Sequence, residues 1–385
     1  MSVTKPEGFL AKGLASGLKT GGARDLAIVI NTAKEPVGAA VFTSNRAKAN
    51  PILWSQSAID SGKVRAIVLN SGGANCFTGD FGYETAKLTA QELAEILECD
   101  PEEIQVCSTG LIGQGGQTFR DKILGSLPEL VAQANADGGA EAAQAIMTTD
   151  TRAKMATFIG EGWSIGGMAK GAGMLAPGLA TMLVVLTTDV RLSAQEARSA
   201  LTRATSQTFD RLDSDGCMST NDQVTLMSSG MAANRPSSEE FAGALTEVCL
   251  DLSLQLLADA EGASHEIAIN VVGAASEADA LEAARSVARN NLFKAAIFGN
   301  DPNWGRVLAA IGTTSAAFDP YRVDVSMNGV RVCSNGGPDR PREEVDLRPR
   351  KTDVTIDLKA GDISATVWTN DLTHDYVHEN SAYSS

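Results

Sequence analysis

The chain has 385 residues, a formal net charge of −15 and only 5% aromatic residues. Its length favours two or three domains whose cores need no disulfide bonds. The negative charge disfavours a nucleic-acid backbone or an anionic membrane as partner. It does not exclude small anionic substrates, because a single local lysine can dominate the potential of a pocket.

The N-terminal segment lacks the apolar stretch of a secretory signal peptide. The most apolar run, residues 182–186, is too short to cross a bilayer. We therefore expect a cytoplasmic protein. Its six cysteines form no CxxC pair, so we expect buried or half-buried free thiols in a reducing compartment.

The first third of the chain contains three predicted strands and one predicted helix. Residues 26–30 and 66–69 are short, β-branched-rich apolar runs and predict buried strands. Residues 84–97 place apolar side chains on one helical face. Residues 103–107 predict another strand, which ends at Thr109 and Gly110.

The middle of the chain is unusually rich in glycine. Residues 160–178 contain seven glycines in nineteen residues, which predicts tight turns or close backbone approach rather than an ordinary helix or strand. Residues 181–189 follow directly and predict a buried strand. Thr181 is therefore expected where a glycine-rich loop enters a core strand.

The remaining chain alternates predicted helices and strands. Ser193, Ser237 and Ser276 each stand three residues before an acidic residue, which is the spacing of a helix N-terminal capping box. The overall pattern predicts an α/β fold of mixed α and β layers, with sheets packed against helices. The longest predicted helix covers about 238–260, the predicted strands cover 267–272, 323–327, 354–358 and 364–368, and an exposed connection is predicted at 338–351.

Two catalytic or metal motifs are interpreted as coincidences. Residues 162–166 fit G-x-S-x-G, but that nucleophile motif needs a helix directly after it, and the next residues are rich in glycine. His374 and His378 have the spacing of a helical metal pair but lack the glutamate of H-E-x-x-H. We interpret them as solvated and predict no metal site.

Thr181 is the remaining nucleophile candidate. A threonine hydroxyl needs a base, and an N-terminal threonine supplies one in its own α-amine. That amine titrates at roughly 7.7–8.0, against about 10.4 for lysine, so it is the better base near neutral pH. From spacing alone, the first position of a buried strand is the simpler interpretation of Thr181.

Residues 170–183, KGAGMLAPGLATML, resemble the processing site of the ornithine acetyltransferases, the glutamate N-acetyltransferases of cyclic arginine biosynthesis. The resemblance extends over nearly the whole chain. Further matching segments follow the same order and together make the resemblance specific: 106–110, 145–151, 219–222, 298–306 and 380–385.

The resemblance implies a reaction and a maturation step. N-acetylornithine and glutamate would give ornithine and N-acetylglutamate by a ping-pong route through an acetyl ester on Thr181. Cleavage between Ala180 and Thr181 would yield chains 1–180 and 181–385, the second with a smaller C-terminal subdomain from about residue 290. The implied fold is that of the ornithine acetyltransferases and related aminopeptidases, and the implied assembly is an α2β2 heterotetramer.

The resemblance also implies roles for individual residues. The Thr109 side chain and the Gly110 N–H would form an oxyanion hole, which an attacked acetyl carbonyl requires. Lys170 would suit a substrate carboxylate, and Glu261 would bind the amino side or tune proton transfer. No cofactor is implied, although acetyl-CoA stays open as a second acetyl donor. The implied substrate-binding residues are Thr148, Lys170, Thr181, Glu261, Asn380 and Ser385.

Three sites depart from the usual family pattern. Gly73 stands where asparagine is usual, Cys217 and Met218 stand where small polar residues are usual, and His265 stands where lysine is common. His374 and His378 also occupy positions that the family fills otherwise. These departures leave the fine substrate preference open.

Two other functions remain open from the sequence. An N-terminal-threonine amidohydrolase or aminopeptidase of related fold would share self-cleavage but pass the acyl group to water. An uncleaved metabolite-binding or structural protein would keep its full length.

Overall fold

The computed structural model describes residues 2–176 and 182–382. In these ranges the chain forms three mixed sheets and ten helices, which confirms the predicted layered α/β fold. The first nine strands are β1 (Phe9–Leu14), β2 (Leu26–Asn31), β3 (Val37–Phe42), β4 (Ala66–Asn70), β5 (Ile104–Ser108), β6 (Lys154–Gly160), β7 (Trp163–Lys170), β8 (Leu183–Thr188) and β9 (Gln223–Ser228).

The later strands belong to the C-terminal part of the chain, and the helices are distributed along its whole length. The later strands are β10 (Glu266–Ala274), β11 (Asp324–Met327), β12 (Val330–Ser334), β13 (Gly337–Pro338), β14 (Lys351–Asp357) and β15 (Ile363–Asn370). The helices are α1 (Asn50–Ala58), α2 (Gly79–Leu97), α3 (Gln117–Ala132), α4 (Gly139–Ala145), α5 (Ala194–Gln207), α6 (Ser238–Ala258), α7 (Glu277–Ala288), α8 (Asn291–Phe298), α9 (Trp304–Ile311) and α10 (His374–Ala382).

Two sheets and two helical layers form a four-layer stack. The first sheet has the order β1-β2-β4-β5, and the central sheet has the order β3-β9-β8-β7-β6. One face of the first sheet packs on the central sheet, where Val29 and Leu69 share a core with Met168 and Val185. The outer face of the first sheet packs on α1, α2 and α3, and the outer face of the central sheet packs on α5 and α6.

The C-terminal sheet has the order β13-β12-β11-β14-β10-β15. Its apolar face packs on α7, α8 and α9 in a separate core. The burial of β10 alternates along the strand, as expected for a sheet with one covered face. The strands β7, β8 and β9 of the central sheet are buried at every position because both of their faces are covered.

Most predicted elements lie where the sequence placed them. The strands at 26–30, 66–69 and 103–107 correspond to β2, β4 and β5, and α2 begins at Gly79, earlier than expected. The three predicted caps are confirmed: the hydroxyls of Ser193, Ser237 and Ser276 accept the N–H groups of Glu196, Glu240 and Asp279. The predicted boundaries at 180 and about 290 stay predictions.

The glycine-rich segment corrects one expectation. Residues 163–170 form β7, a fully buried strand, instead of turns alone. Gly166 and Gly167 serve close packing, because a Cβ at Gly166 would lie 2.3 Å from the Ser2 carbonyl oxygen and one at Gly167 would lie 2.9 Å from Leu252. The glycines thus admit neighbouring layers to the strand rather than bending it.

Helix α6 has the length and composition of a membrane-spanning segment, with a mean hydropathy of 1.4 over its most apolar window. Most of its apolar residues, including Leu245, Leu252 and Leu256, are instead buried in the core under the central sheet, although Leu254 is exposed. The connection 338–351 is exposed as expected except for Leu347 and the partly buried Val345. The prediction for the cysteines is wrong at Cys217, which is exposed, while the other five are buried or half-buried free thiols.

Candidate active site

Thr109 and Gly110 follow the last residue of β5. The Thr109 N–H donates to the Asn70 carbonyl at 2.9 Å, and the Thr109 carbonyl accepts from Gly73 N–H at 3.0 Å. Gly110 has φ +125°, and a Cβ there would lie 2.8 Å from the Gly73 nitrogen, so this turn requires glycine. Among the described residues, the Gly110 N–H has no hydrogen-bond acceptor.

Lys170 is the last residue of β7 and is only 1% exposed. It pairs with Leu183 of β8, two residues after Thr181. Its Nζ donates to Thr109 Oγ1 at 3.2 Å and so connects the central sheet to the first sheet. Burial lowers the pKa of Lys170, while the negative charges of Asp150, Asp222 and Glu261 oppose that shift.

The Lys170 contact leaves the Thr109 hydroxyl proton available. A lysine ammonium only donates, so Thr109 Oγ1 accepts in this bond and keeps its own proton for another acceptor. The hydroxyl of Thr109 and the N–H of Gly110 are thus adjacent donors without described acceptors. This is the donor arrangement expected of a hole for a developing oxyanion.

Asp150 organises the backbone around Lys170. Its Oδ1 accepts the Gly171 N–H at 2.7 Å and its Oδ2 accepts the Thr148 N–H at 2.9 Å. Burial disfavours the charged form, but the charges of Lys170 and Lys154 outweigh burial and hold the pKa of Asp150 at about 2. The anion therefore fixes Thr148 relative to the end of β7.

Lys154 lies between two buried carboxylates. Its Nζ contacts Asp150 Oδ1 at 2.6 Å and Asp259 Oδ2 at 2.5 Å, and all three side chains are at most 4% exposed. Asp259 also accepts the N–H of Thr151 at 3.0 Å and bonds to its hydroxyl. The Asp150–Lys154–Asp259 network therefore joins the segment after α6 to the segment that carries Thr148.

Glu261 reaches the same loop from the end of α6. Its N–H donates to the Ala172 carbonyl at 3.0 Å. A Cβ at Gly173 would lie 2.7 Å from the Glu261 carboxylate, so glycine permits this approach. Glu261 also lines a cavity of about 170 Å³ together with Asp215, Lys294 and Tyr376.

The structure brings together only part of the predicted set. Thr109, Gly110, Thr148, Lys170 and Glu261 surround the loop that follows β7. Asn380 lies exposed on α10, and its side-chain amide donates to the Tyr376 carbonyl of the same helix at 3.0 Å. The predicted residues Ala180, Thr181 and Ser385 lie outside the described residues, and the assigned roles stay predictions.

The departures from the family pattern have local explanations. Gly73 uses its backbone to hold Thr109, and a Cβ there would approach Gln114 and Phe119 to about 3 Å. Cys217 lies in an exposed turn whose N–H donates to Asp215 at 3.0 Å, and the Met218 carbonyl accepts from Asn45.

The three histidines are placed away from the donor pair. The ring of His265 contacts Asp371 through Nδ1 at 2.7 Å and the Leu347 carbonyl through Nε2 at 2.9 Å. His374 and His378 are exposed, as predicted. The G-x-S-x-G segment is also structural, because Ser164 lies in β7 and its hydroxyl donates to Asp189 at 2.8 Å.

Sequence reasoning missed several charged residues that support the site. Lys154 and Asp259 received no role, and Lys19 was not considered, although its Nζ donates to the Met147 carbonyl at 2.6 Å. Burial lowers the pKa of Lys19. The charges of Asp25 and Asp150 oppose this shift, and the charge of Lys170 adds to it. A usable signal was the Asp-to-Lys spacing of four residues from Asp150 into a predominantly apolar strand.

A buried lysine beside two adjacent donors that have no described acceptor is an arrangement suited to acyl transfer. A sequence profile described as the ArgJ family matches residues 10–385. The arginine biosynthesis bifunctional protein ArgJ of Thermobifida fusca is 58% identical over 100% of both chains, and that of Streptomyces coelicolor is 55% identical over 100% of both. The chain belongs to the ArgJ family. This membership confirms the predicted family and the predicted class, an acyltransferase of arginine biosynthesis.

Two solved structures are also similar. The ornithine acetyltransferase of Mycobacterium tuberculosis, complexed with ornithine, is 44% identical, covers 47% of this chain and 96% of its own, and has a TM-score of 0.45. The ArgJ protein of Bacillus halodurans is 32% identical, covers 51% of this chain and 97% of its own, and has a TM-score of 0.49.

Proposed function

We propose that the chain cleaves itself between Ala180 and Thr181 and then uses Thr181 to carry acetyl from N-acetylornithine to glutamate. The observation that carries the proposal is the Lys170–Thr109 contact, beside a Gly110 N–H that has no acceptor in the described part of the chain, close to the start of β8. Family membership and the relatives' place in arginine biosynthesis support it.

The proposed transfer has two halves. The Thr181 hydroxyl attacks the acetyl carbonyl of N-acetylornithine, its proton passes to the α-amine, and ornithine leaves with a proton. The amine of glutamate then attacks the acetyl ester, which releases N-acetylglutamate and restores Thr181. The hydroxyl of Thr109 and the N–H of Gly110 stabilise the oxyanion in both halves. The reaction so written needs no cofactor.

Substrate binding uses the charges around the loop after β7. Lys170 pairs with the α-carboxylate that donor and acceptor share, and burial strengthens that attraction. Asp150 holds the backbone of Thr148 nearby. Glu261 approaches the loop after β7 at Gly173, where a larger side chain would block it. Asn380 and Ser385 complete the proposed binding set.

Mass spectrometry of the purified protein tests the maturation step. We expect two fragments, one ending at Ala180 and one beginning at Thr181, and a single full-length species for Thr181→Ala. A wild-type chain that stays intact would instead favour an uncleaved metabolite-binding or structural protein.

Ornithine release from N-acetylornithine tests the transfer. We expect ornithine release to depend on glutamate and to equal the N-acetylglutamate formed. Double-reciprocal plots of rate against N-acetylornithine at several fixed glutamate concentrations should be parallel, as a ping-pong route requires. Release without glutamate, and without N-acetylglutamate, would identify an amidohydrolase of related fold and overturn the transferase.

Thr109→Val tests the oxyanion donor. The variant keeps the side-chain shape and removes the hydroxyl, so we expect kcat to fall about 10²- to 10³-fold. Thr352→Val is the matched control, because Thr352 is a buried threonine of the C-terminal sheet whose hydroxyl has no partner among the described residues. Equal activity of both variants would remove Thr109 from the mechanism.

The second activity of this chain is a separate part of the proposal. The relatives from Thermobifida fusca and Streptomyces coelicolor are named bifunctional. We propose acetyl-CoA as the second acetyl donor, tested by N-acetylglutamate formation from acetyl-CoA and glutamate alone. We also propose an α2β2 assembly of the two fragments in the cytoplasm, which sedimentation of the cleaved protein tests.

A further inference from the structure

Asp222 is a buried carboxyl group beside the proposed cleavage position. It directly precedes β9, which runs parallel to β8 with Leu183 opposite Gln223. Its Oδ1 accepts the Met182 N–H at 3.0 Å, and the Gln223 N–H donates to the Met182 carbonyl at 3.2 Å. Met182 is therefore held by Asp222 and its neighbour, and one peptide bond connects Met182 to Thr181.

The second oxygen of Asp222 has no partner among the described residues, although Asp222 is 0% exposed. The hydroxyls of Ser219 and Thr43 lie near enough to favour the charged form, but neither makes a hydrogen bond to Oδ2 within the described residues. A buried acceptor without a partner has lost its hydration with nothing to replace it. Asp222 differs from other such groups in its place, because its first oxygen already holds Met182.

The surroundings of Asp222 favour a cationic partner. Burial raises the pKa of Asp222 well above its usual range, and the charge of Lys170 only partly opposes this. The negative charge of Asp222 also contributes to raising the pKa of the Cys217 thiol, after burial and Asp215. An ammonium group placed at Oδ2 would supply the missing hydrogen bond and an opposite charge together.

We propose that Asp222 is a positioning residue for Thr181, holding Met182 through Oδ1 and receiving the new α-amine of Thr181 through Oδ2 after cleavage. The proposal rests on the proposed function, which alone creates that amine. It does not require Asp222 to touch the substrate.

The cleavage balances without any added reagent. The Thr181 hydroxyl oxygen bonds to the Ala180 carbonyl carbon, the Ala180–Thr181 C–N bond breaks, and the hydroxyl proton ends on the freed nitrogen. Water then hydrolyses the ester, which leaves a carboxylate on Ala180 and a hydroxyl on Thr181. Asp222 fixes the backbone of Met182 during the first step and orients the amine afterwards.

Asp222→Asn is the decisive variant. The amide keeps the size of the side chain and can still accept the Met182 N–H, but its NH2 group cannot accept an ammonium. We expect cleavage near the wild-type rate, because the amide oxygen still holds Met182 and the α-amine does not exist before the bond breaks. In the cleaved fraction we expect kcat to fall about 10²-fold, because small displacements of reacting groups have effects of that size, while KM for N-acetylornithine changes less than twofold.

Asp213→Asn is the matched control. Asp213 is also 0% exposed and also has one oxygen without a partner among the described residues, but it pairs with Arg289 through its other oxygen at 2.7 Å. We expect cleavage and kcat of this variant to stay within twofold of the wild type. The contrast separates the place of Asp222 from the general effect of removing a buried carboxyl.

Wild-type turnover by the cleaved Asp222→Asn variant would overturn the inference while leaving the proposed function intact. A wild-type chain that never cleaves would overturn the proposed function, and this inference with it. If Asp222→Asn does not fold, Asp222→Glu decides: turnover retained with the longer carboxylate supports the inference. Loss of both folding and cleavage in the two variants would assign Asp222 a structural role and overturn it.

Discussion

Ion pairs in the central sheet and in the C-terminal part of the chain have very different surroundings. Lys154 contacts Asp150 and Asp259 with all three side chains at most 4% exposed. Arg340 and Glu344, in the connection before β14, pair with 53% and 42% of their side chains exposed. Burying the three charges of the first arrangement costs a large desolvation free energy, whereas the charges of the second remain hydrated.

The difference shows where the fold contains charges that are buried despite their desolvation free energy. The buried network holds the backbone N–H groups of Thr148 and Gly171, which flank the candidate active site. The exposed pair only joins neighbouring turns of a surface connection. The buried network therefore lies where it also fixes backbone groups of the candidate site, and Lys154→Met and Arg340→Ala probe this contrast most directly.

Lys154→Met should have the largest effect on stability. The variant leaves Asp150 and Asp259 buried without their cation, which typically costs about 3–5 kcal/mol. Urea unfolding measures the change through the midpoint at unaltered slope. The triple variant Lys154→Met, Asp150→Asn, Asp259→Asn should recover part of the loss, because it removes the buried charges together. A loss below about 1 kcal/mol in the single variant would contradict the network's importance.

Lys294 is a buried lysine that forms no ion pair within residues 2–176 and 182–382, although the charges of Asp215, Asp213 and Asp371 act on it. Its Nζ donates to the carbonyl of Ser214 and to Thr369 Oγ1, and burial lowers its pKa from 10.5 to about 8. The penalty for charging it is complete below pH 8 and disappears as the pH rises toward 10.5, since the unfolded chain then binds more protons. Stability should rise over that window by about 3 kcal/mol.

The test compares Lys294→Met with the wild type at pH 7.5 and pH 10. The variant should be more stable relative to the wild type at pH 7.5, and the difference should shrink by most of that amount at pH 10. Lys5→Met, which removes an exposed lysine, should leave the pH dependence unchanged. If the unfolding free energies of the wild type and Lys294→Met changed equally between pH 7.5 and pH 10, Lys294 would have to keep its proton over that range, contrary to this prediction.

The sequence predicted the elements well where local chemistry determines them. Caps such as Ser193 with Glu196 are set by neighbours three residues away, and apolar runs such as β2 need no distant partner to be recognised. The site was predictable only by resemblance. Lys154 and Asp259 are 105 residues apart, so no local sequence pattern predicts their contact.

Gly166 illustrates the same limit within a strand. Glycine content predicted tight turns or close backbone approach, and Gly166 shows the second, because it faces the carbonyl oxygen of Ser2 in the N-terminal segment. A distant backbone atom that excludes a side chain leaves no trace in the surrounding sequence. Tertiary contacts thus overrode the local preference against glycine in a strand.

Gly166→Ala should therefore be destabilising. The new Cβ would lie 2.3 Å from the Ser2 oxygen, and overpacking of this kind typically costs about 1–3 kcal/mol. Gly125→Ala is the control of opposite sign, since Gly125 lies inside α3 with no atom within 4 Å of the added methyl group. That variant should gain about 0.5–1 kcal/mol. Thermal unfolding measures both changes. An unchanged stability of Gly166→Ala would mean that the N-terminal segment around Ser2 moves to admit the methyl group.

Arg340→Ala should have the smallest effect. The variant removes one partner of the exposed pair with Glu344, and such pairs contribute about 0.5 kcal/mol or less because water and salt already solvate both charges. Any loss should disappear in 1 M salt, where the screening length is about 3 Å. Urea unfolding at low and high salt measures this. A salt-insensitive loss comparable with that of Lys154→Met would contradict the contrast, because it would mean that the connection before β14 is held by its packing around Arg340 rather than by an exposed charge pair.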